Sequence, residues 1–189
     1  MKLKLSIFLS LFAFILFSSC DKEETFDDRW KLDNEAQFAK IASSSDYNKL
    51  DSYSGNGYIM YKVIESGSGT NYPYFTDRVK VRYTGWYKQI WENPDTYNDD
   101  KGNVITNKVI FDTTSKSGMA RTFFVNPLAS NSTTFGVIDG FSTALQYMKA
   151  GDIWEVWIPW KLGYSETGSS AIPGYTTIVF EIELVEILD

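Results

Sequence analysis

The stretch Phe111-Asp112-Thr113-Thr114-Ser115 sets one carboxylate behind a large aromatic and ahead of three hydroxyl residues. Ser-His-Asp and Cys-His catalysis both need an imidazole, and the 189-residue chain contains no histidine. The same absence removes any His-ligated metal site. Cys20 is the only cysteine, which excludes an intramolecular disulfide and a thiolate metal cluster. Chemistry must therefore run on carboxylates, hydroxyls, lysine, backbone amides or shape. Taken alone, Asp112 reads as a turn acid. An apolar run that ends on an acid also fits the wall of a pocket.

Composition narrows the classes further. The chain is 43% hydrophobic and 16% aromatic, enough for one ordinary domain with a core and some extra chain. Its net charge of -6 and the lack of a basic cluster argue against nucleic acid as a partner. The acids of "NDDKGN" lack the spacing and terminal Glu of a calcium loop. No metal and no cofactor are expected.

The elements that would position Asp112 are mostly strands. From Tyr58 onward the chain is rich in aromatic and β-branched residues, with strands expected at 58–65, 78–88, 108–112, 121–125, 153–159 and 176–188. Within 78–88, Val79, Val81 and Tyr83 alternate with Lys80 and Arg82. One helix is expected over 139–151, where Phe141, Ala144, Leu145 and Met148 share a face, Asp139 is a candidate N-cap and Gly151 a candidate C′ residue. Residues 21–31 read as linker, 33–42 as a short helix capped by Asp33 or Asn34, and 43–57 as loop. The expected fold class is α+β: an antiparallel sheet of five to six strands curled around one short amphipathic helix, with an N-terminal helical extension.

The N-terminus has a different character. Lys2 and Lys4 precede an apolar run from Leu5 to Phe17, followed by Ser18, Ser19 and Cys20. This is the pattern of a secretion signal, too short for a comfortable membrane span. Its end resembles the lipobox of bacterial lipoproteins. That resemblance implies a signal peptide over 1–19, lipid attachment at Cys20 and a place in the bacterial cell envelope. The expected location is the outer membrane, on its periplasmic or surface face. The lipid anchor is then the only contact with the membrane.

From Val79 on, eight blocks occur in a fixed order: "VKVRYTG" (79–85), "FDTTS" (111–115), "TFFV" (122–125), "VIDGF" (137–141), "MKAG" (148–151), "IPWKLGYS" (158–165), "AIP" (171–173) and "TIVFEIELVEI" (177–187). In type and order they resemble the FKBP-type peptidyl-prolyl cis-trans isomerases. The resemblance implies a domain over 58–189 with an insertion at about 87–108, preceded over 20–57 by a tether and an extension. It implies isomerisation of Xaa-Pro bonds in proline-containing polypeptides, as a folding helper for secreted or envelope proteins, with macrolides as further ligands.

That activity needs no proton shuttle. Twisting the planar amide makes its carbonyl less dipolar, so an apolar pocket binds the twisted form better than the planar one. Carried over by position, the catalytic set is Tyr83, Asp112, Ile138, Phe141 and Tyr164. Phe111, Phe123, Val137, Ile172 and Phe180 form the substrate-binding walls and entrance. Phe141 takes the floor under the proline ring, the Ile138 amide and the Tyr164 hydroxyl meet substrate carbonyls, and Asp112 sits at the edge beside Tyr83.

Several positions depart from the pattern. The floor carries Phe141 where Trp is usual, Ser165 stands where a Gly follows the Tyr, and Arg121 stands where eukaryotic members have an aromatic. Tyr83 and Phe111 are 28 residues apart, leaving 87–108 as a polar, solvated hairpin beside the site with "DDKGN" at its tip. In "WEVWIPW", Val156 and Ile158 should face the helix, which turns Ile153 and Trp157 to the outer sheet face, where 26–57 or a partner must cover them. The alternative to an enzyme is a weakly active or inactive FKBP-like binding module on the envelope. A glycan-binding surface protein rests only on exposed Trp and Tyr.

Overall fold

The computed structural model describes residues 25–114 and 118–188. Helix α1 (Phe26–Ala42) precedes strands β1 (Asn48–Asp51), β2 (Tyr58–Glu65), β3 (Arg78–Lys88), β4 (Thr96–Asn98), β5 (Val104–Thr106), β6 (Lys108–Thr113) and β7 (Arg121–Phe124). Helix α2 (Asp139–Leu145), β8 (Ile153–Ile158), a 3-10 turn at Trp160–Leu162 and β9 (Ile178–Leu188) follow. One antiparallel sheet runs β1-β2-β8-β9-β3-β6, with β7 also on β3, and β4-β5 form a separate hairpin. This is the expected α+β architecture.

The alternation read in β3 decides its burial. Val79, Val81, Tyr83, Gly85 and Tyr87 are buried on the concave face, while Lys80 and Arg82 pair with Glu186 and Glu183 of β9. Helix α2 lies in that concavity with every residue from Gly140 to Leu145 buried. Val156 and Ile158 are fully buried, and Ile158 touches the helix where Gly140 has no side chain.

The register places the site. β3 pairs with β9 along one edge, and its other edge is shared: β6 lies beside residues 84–88 and β7 beside 78–81. Tyr83 falls between the two partners. Asp112 near the end of β6 and Arg121 at the start of β7 therefore flank it.

Five expectations are corrected. Helix α1 starts at Phe26 and takes in most of the expected linker, because Thr25 and Asp28 form a reciprocal capping box. Asp33 and Asn34 sit inside the helix instead of capping it, and Asn34 is fully buried. The expected loop at 43–57 contributes β1, paired with β2. Helix α2 ends at Leu145, and Ile138 is its N-cap; the Asp139 carboxylate instead accepts from Ser52 Oγ at 2.7 Å. Met148 joins the core through 3-10-type turns that lead to Gly151 at φ 91°.

The fifth correction concerns the insertion. Its tip is a hairpin turned by Asp99, whose carboxylate accepts from Lys101 N, Asn103 N and Asn103 Nδ2. Those bonds hold the Asp99 carboxyl below its ordinary pKa. Its base is not solvated. Asn107 is fully buried and donates to the carbonyls of Ile90, Asn93 and Pro94. Trp91 is buried against Trp157, with ring centroids 5.3 Å apart. The outer face around Trp157 is thus covered by the insertion together with Tyr47, which packs edge-on at 6.3 Å and donates to Glu155 Oε1. Burial, and then that bond, push the Tyr47 hydroxyl up to about 12.

Candidate active site

Five aromatic rings converge where β3, β6, β7, β9 and α2 meet. Tyr83 contacts Phe123, Phe141 and Phe180 at centroid separations of 5.9, 5.8 and 6.0 Å. Phe180 stands edge-on to Phe111 at 5.4 Å and to Phe141 at 5.1 Å. Edge-to-face pairs of this kind contribute about 0.5–1.5 kcal/mol beyond area burial, so the rings hold one another in place.

These rings enclose a cavity of about 270 Å3, lined also by Asp112, Gly136, Val137, Ile138 and Tyr164. Nine of the ten pocket residues singled out from the sequence line it. The tenth, Ile172, is buried in the same core cluster but is not part of the cavity lining, and its backbone pairs with Ser169. Cys20 and Ser115 lie outside the described residues.

One polar group of the cavity is tied to its frame. Tyr83 donates its hydroxyl to Asp112 Oδ2 at 2.6 Å. Arg121 Nη1 donates to the Tyr83 oxygen at 2.8 Å and to the Asp112 oxygens at 3.0 and 3.1 Å. Burial, then the Asp112 hydrogen bond, raise the Tyr83 pKa well above the ordinary tyrosine value, so its hydroxyl stays a donor. Tyr164 is raised as well, by burial and then by the Asp112 charge. Among the described residues, neither the Tyr164 hydroxyl nor the Ile138 amide has a hydrogen-bond partner.

The hydroxyls after Asp112 act on the backbone. Thr114 Oγ1 accepts from Tyr83 N at 2.9 Å, and Thr114 N donates to Tyr83 O at 2.9 Å. Thr113 and Thr84 hydroxyls meet across the strands at 2.9 Å. This latch sets the Tyr83 backbone that carries the ring. Residue types alone showed Arg121 only as a departure; its proximity to Asp112 comes from the shared edge of β3. Ser165 adopts φ 61°, the left-handed conformation that a Gly would hold at less cost.

The family model of the FKBP-type peptidyl-prolyl cis-trans isomerase matches residues 69–185. The chain belongs to this family. The FKBP-type 22 kDa peptidyl-prolyl cis-trans isomerase of Escherichia coli is 36% identical over 131 residues, which are 69% of this chain and 50% of that protein. The outer membrane protein MIP of Legionella longbeachae is 31% identical over 130 residues, 68% of this chain and 44% of its own length. The chain thus spans about half the length of these curated relatives. A crystal structure of a peptidyl-prolyl cis-trans isomerase from Pseudomonas syringae superposes with a TM-score of 0.60 at 24% identity, covering 87% of this chain and 98% of that one, a likeness of fold. In this FKBP-type domain Phe111, Phe141 and Phe180 wall one cavity together.

Proposed function

We propose that the protein isomerises Xaa-Pro bonds of polypeptides in the bacterial envelope, acting as a folding helper. The observation that carries this is the aromatic cavity, apolar on its walls and bearing polar groups at Asp112, Tyr164 and the Ile138 amide. Rotation about the amide meets a barrier of about 18–20 kcal/mol, and uncatalysed Xaa-Pro exchange takes tens to hundreds of seconds. The pocket excludes the water that stabilises the planar, dipolar amide. In this reading Phe141 supports the proline ring. The Ile138 amide and Tyr164 hydroxyl donate to substrate carbonyls and keep the peptide in place while the bond twists. Asp112, oriented by Tyr83 and Arg121, faces the carbonyl of the twisting bond.

The test is isomerisation of a proline-containing tetrapeptide by the full chain. Phe141→Ala combined with Tyr164→Phe is expected to lower kcat/KM at least ~10-fold, since both act on the bound amide. A wild-type rate no faster than that variant would remove the enzyme and leave a binding module. A macrolide, proposed to enter the same pocket, should inhibit the wild-type reaction.

We further propose lipid attachment at Cys20 and an outer-membrane location, supported by the lipobox-like end of the signal and by a relative named as an outer membrane protein. Cys20→Ser should abolish metabolic incorporation of a labelled fatty acid into the chain, and a variant labelled as well as wild type would refute the anchor.

A further inference from the structure

Tyr53, Tyr74 and Phe75 are 74%, 78% and 47% exposed, and Leu128 is 93% exposed. Single exposed apolar side chains are ordinary, whereas a connected set marks a surface with a use. These are connected. Tyr53, Tyr74 and Phe75 line one groove of about 640 Å3, and Tyr53, Phe75 and Leu128 line a cavity of about 410 Å3. Tyr53, Phe75 and Gln146 belong to both, so the two form one trough.

The trough adjoins the isomerase pocket on two sides. Its wall at Asn126–Leu128 and the pocket wall at Gly136–Ile138 belong to one loop. A Cβ on Gly136 would stand 2.2 Å from Asn126 O and 2.6 Å from Pro127 O, so the two walls are in backbone contact there. Helix α2 is shared as well: Phe141 faces the pocket, while Asp139 and Ser142 line the trough. The far end is held to the helix. Ser52 donates to Asp139, and the Tyr53 ring stacks on Tyr147 at 6.3 Å with the two hydroxyls 3.0 Å apart.

We infer that this trough is a second docking site for the polypeptide client whose prolyl bond occupies the pocket. The inference rests on the isomerase reading. A client too unfolded to bury its prolines presents extended or polyproline backbone, with apolar side chains and unpaired amides. Aromatic-lined grooves with a few hydrogen-bonding groups accept such segments. Tyr53, Tyr74 and Phe75 supply the aromatic surface, and Gln146, whose Nε2 is bonded to Ser142, supplies its amide oxygen. On this inference a tetrapeptide is held by the pocket alone. A longer chain passes over Leu128, advancing about 3.1 Å per residue, and gains a second contact at high effective concentration.

The experiment compares the full chain with its Tyr53→Ser/Tyr74→Ser/Phe75→Ser/Leu128→Ser variant on two probes: a proline-containing tetrapeptide, and a reduced, alkylated, permanently unfolded polypeptide containing proline. The tetrapeptide kcat/KM is expected to stay within about twofold, and the Kd for the unfolded polypeptide to weaken at least ~10-fold. The single Leu128→Ser variant, changed where the side chain makes little contact, should weaken that Kd about threefold with the fold untouched. Unchanged polypeptide affinity in both variants overturns the inference. Wild-type retention on a soluble polysaccharide that the variant loses, with polypeptide affinity unchanged, assigns the trough to sugars and also overturns it. A wild-type chain inert on the tetrapeptide, with polypeptide affinity still lost in the variant, sinks the isomerase reading and leaves the trough standing.

Discussion

Gly85→Ala is expected to lower kcat/KM for a proline-containing tetrapeptide by about 10- to 100-fold, the cost of misplacing a binding surface by roughly an ångström. Gly85 lies in β3 beneath two pocket rings. A Cβ there would stand 2.4 Å from Phe180 Cε1 and 2.7 and 2.8 Å from Phe111 Cζ and Cε2. Carbon atoms rest at about 3.5–4.0 Å, so both rings must withdraw. Both line the 270 Å3 cavity, and the move narrows or tilts it. Overpacking of this kind also costs about 1–3 kcal/mol of stability, readable as a lower urea midpoint at unchanged slope. The Gly that closes "VKVRYTG" thus acts through the absence of a side chain. A kcat/KM within about twofold of wild type would show that the rings do not shape turnover.

Asn34→Ala should be the most damaging change outside the pocket. Asn34 is fully buried, and its Oδ1 accepts from Trp91 Nε1 at 3.2 Å and from Thr177 N at 2.9 Å. Its Nδ2 donates to Trp30 O at 2.8 Å. One side chain thereby joins the N-terminal helix, the base of the insertion and the start of β9. Truncation leaves two buried donors unpaired, at about 1–3 kcal/mol each, for an expected loss of about 2–6 kcal/mol in urea unfolding. That is a large part of the stability of an ordinary domain, about 5–15 kcal/mol. A loss below about 0.5 kcal/mol would mean that the extension is an appendage. Trp30, whose Nε1 donates to Thr176 Oγ1 at 3.0 Å, reinforces the same seam.

The parts legible in the sequence were those carried by short periods and local order. Alternation in 78–88 and 176–188 marks two central strands because side chains of a pleated strand face opposite ways. The spacing of Phe141, Ala144, Leu145 and Met148 marks the one helix that the sheet encloses. The order of the eight blocks marks the family. Helix α1 is longer than its residue pattern predicts because Thr25-x-x-Asp28, the signal for its start, lies inside an acidic stretch with the composition of a tether. The polar composition of the insertion predicts a solvated loop, whereas Trp91 and Asn107 at its base are buried.

By itself, then, the sequence determined the class of chemistry and the inventory of the site. A chain with no histidine and one cysteine is left with carboxylates, hydroxyls, lysine, backbone amides or shape, and the resemblance of its ordered blocks to a family picks out Phe111, Phe141 and Phe180. Only the tertiary structure decided which groups meet. Arg121 reaches Asp112 because β6 and β7 share one edge of β3, a pairing register that no local spacing encodes. Trp91 covers Trp157, and Asn34 joins Thr177, across 143 residues, because burial is satisfied by whatever surface the fold brings near. Periodicity is a property of neighbours in the chain, whereas contacts between distant segments follow from closing the whole sheet around its helix.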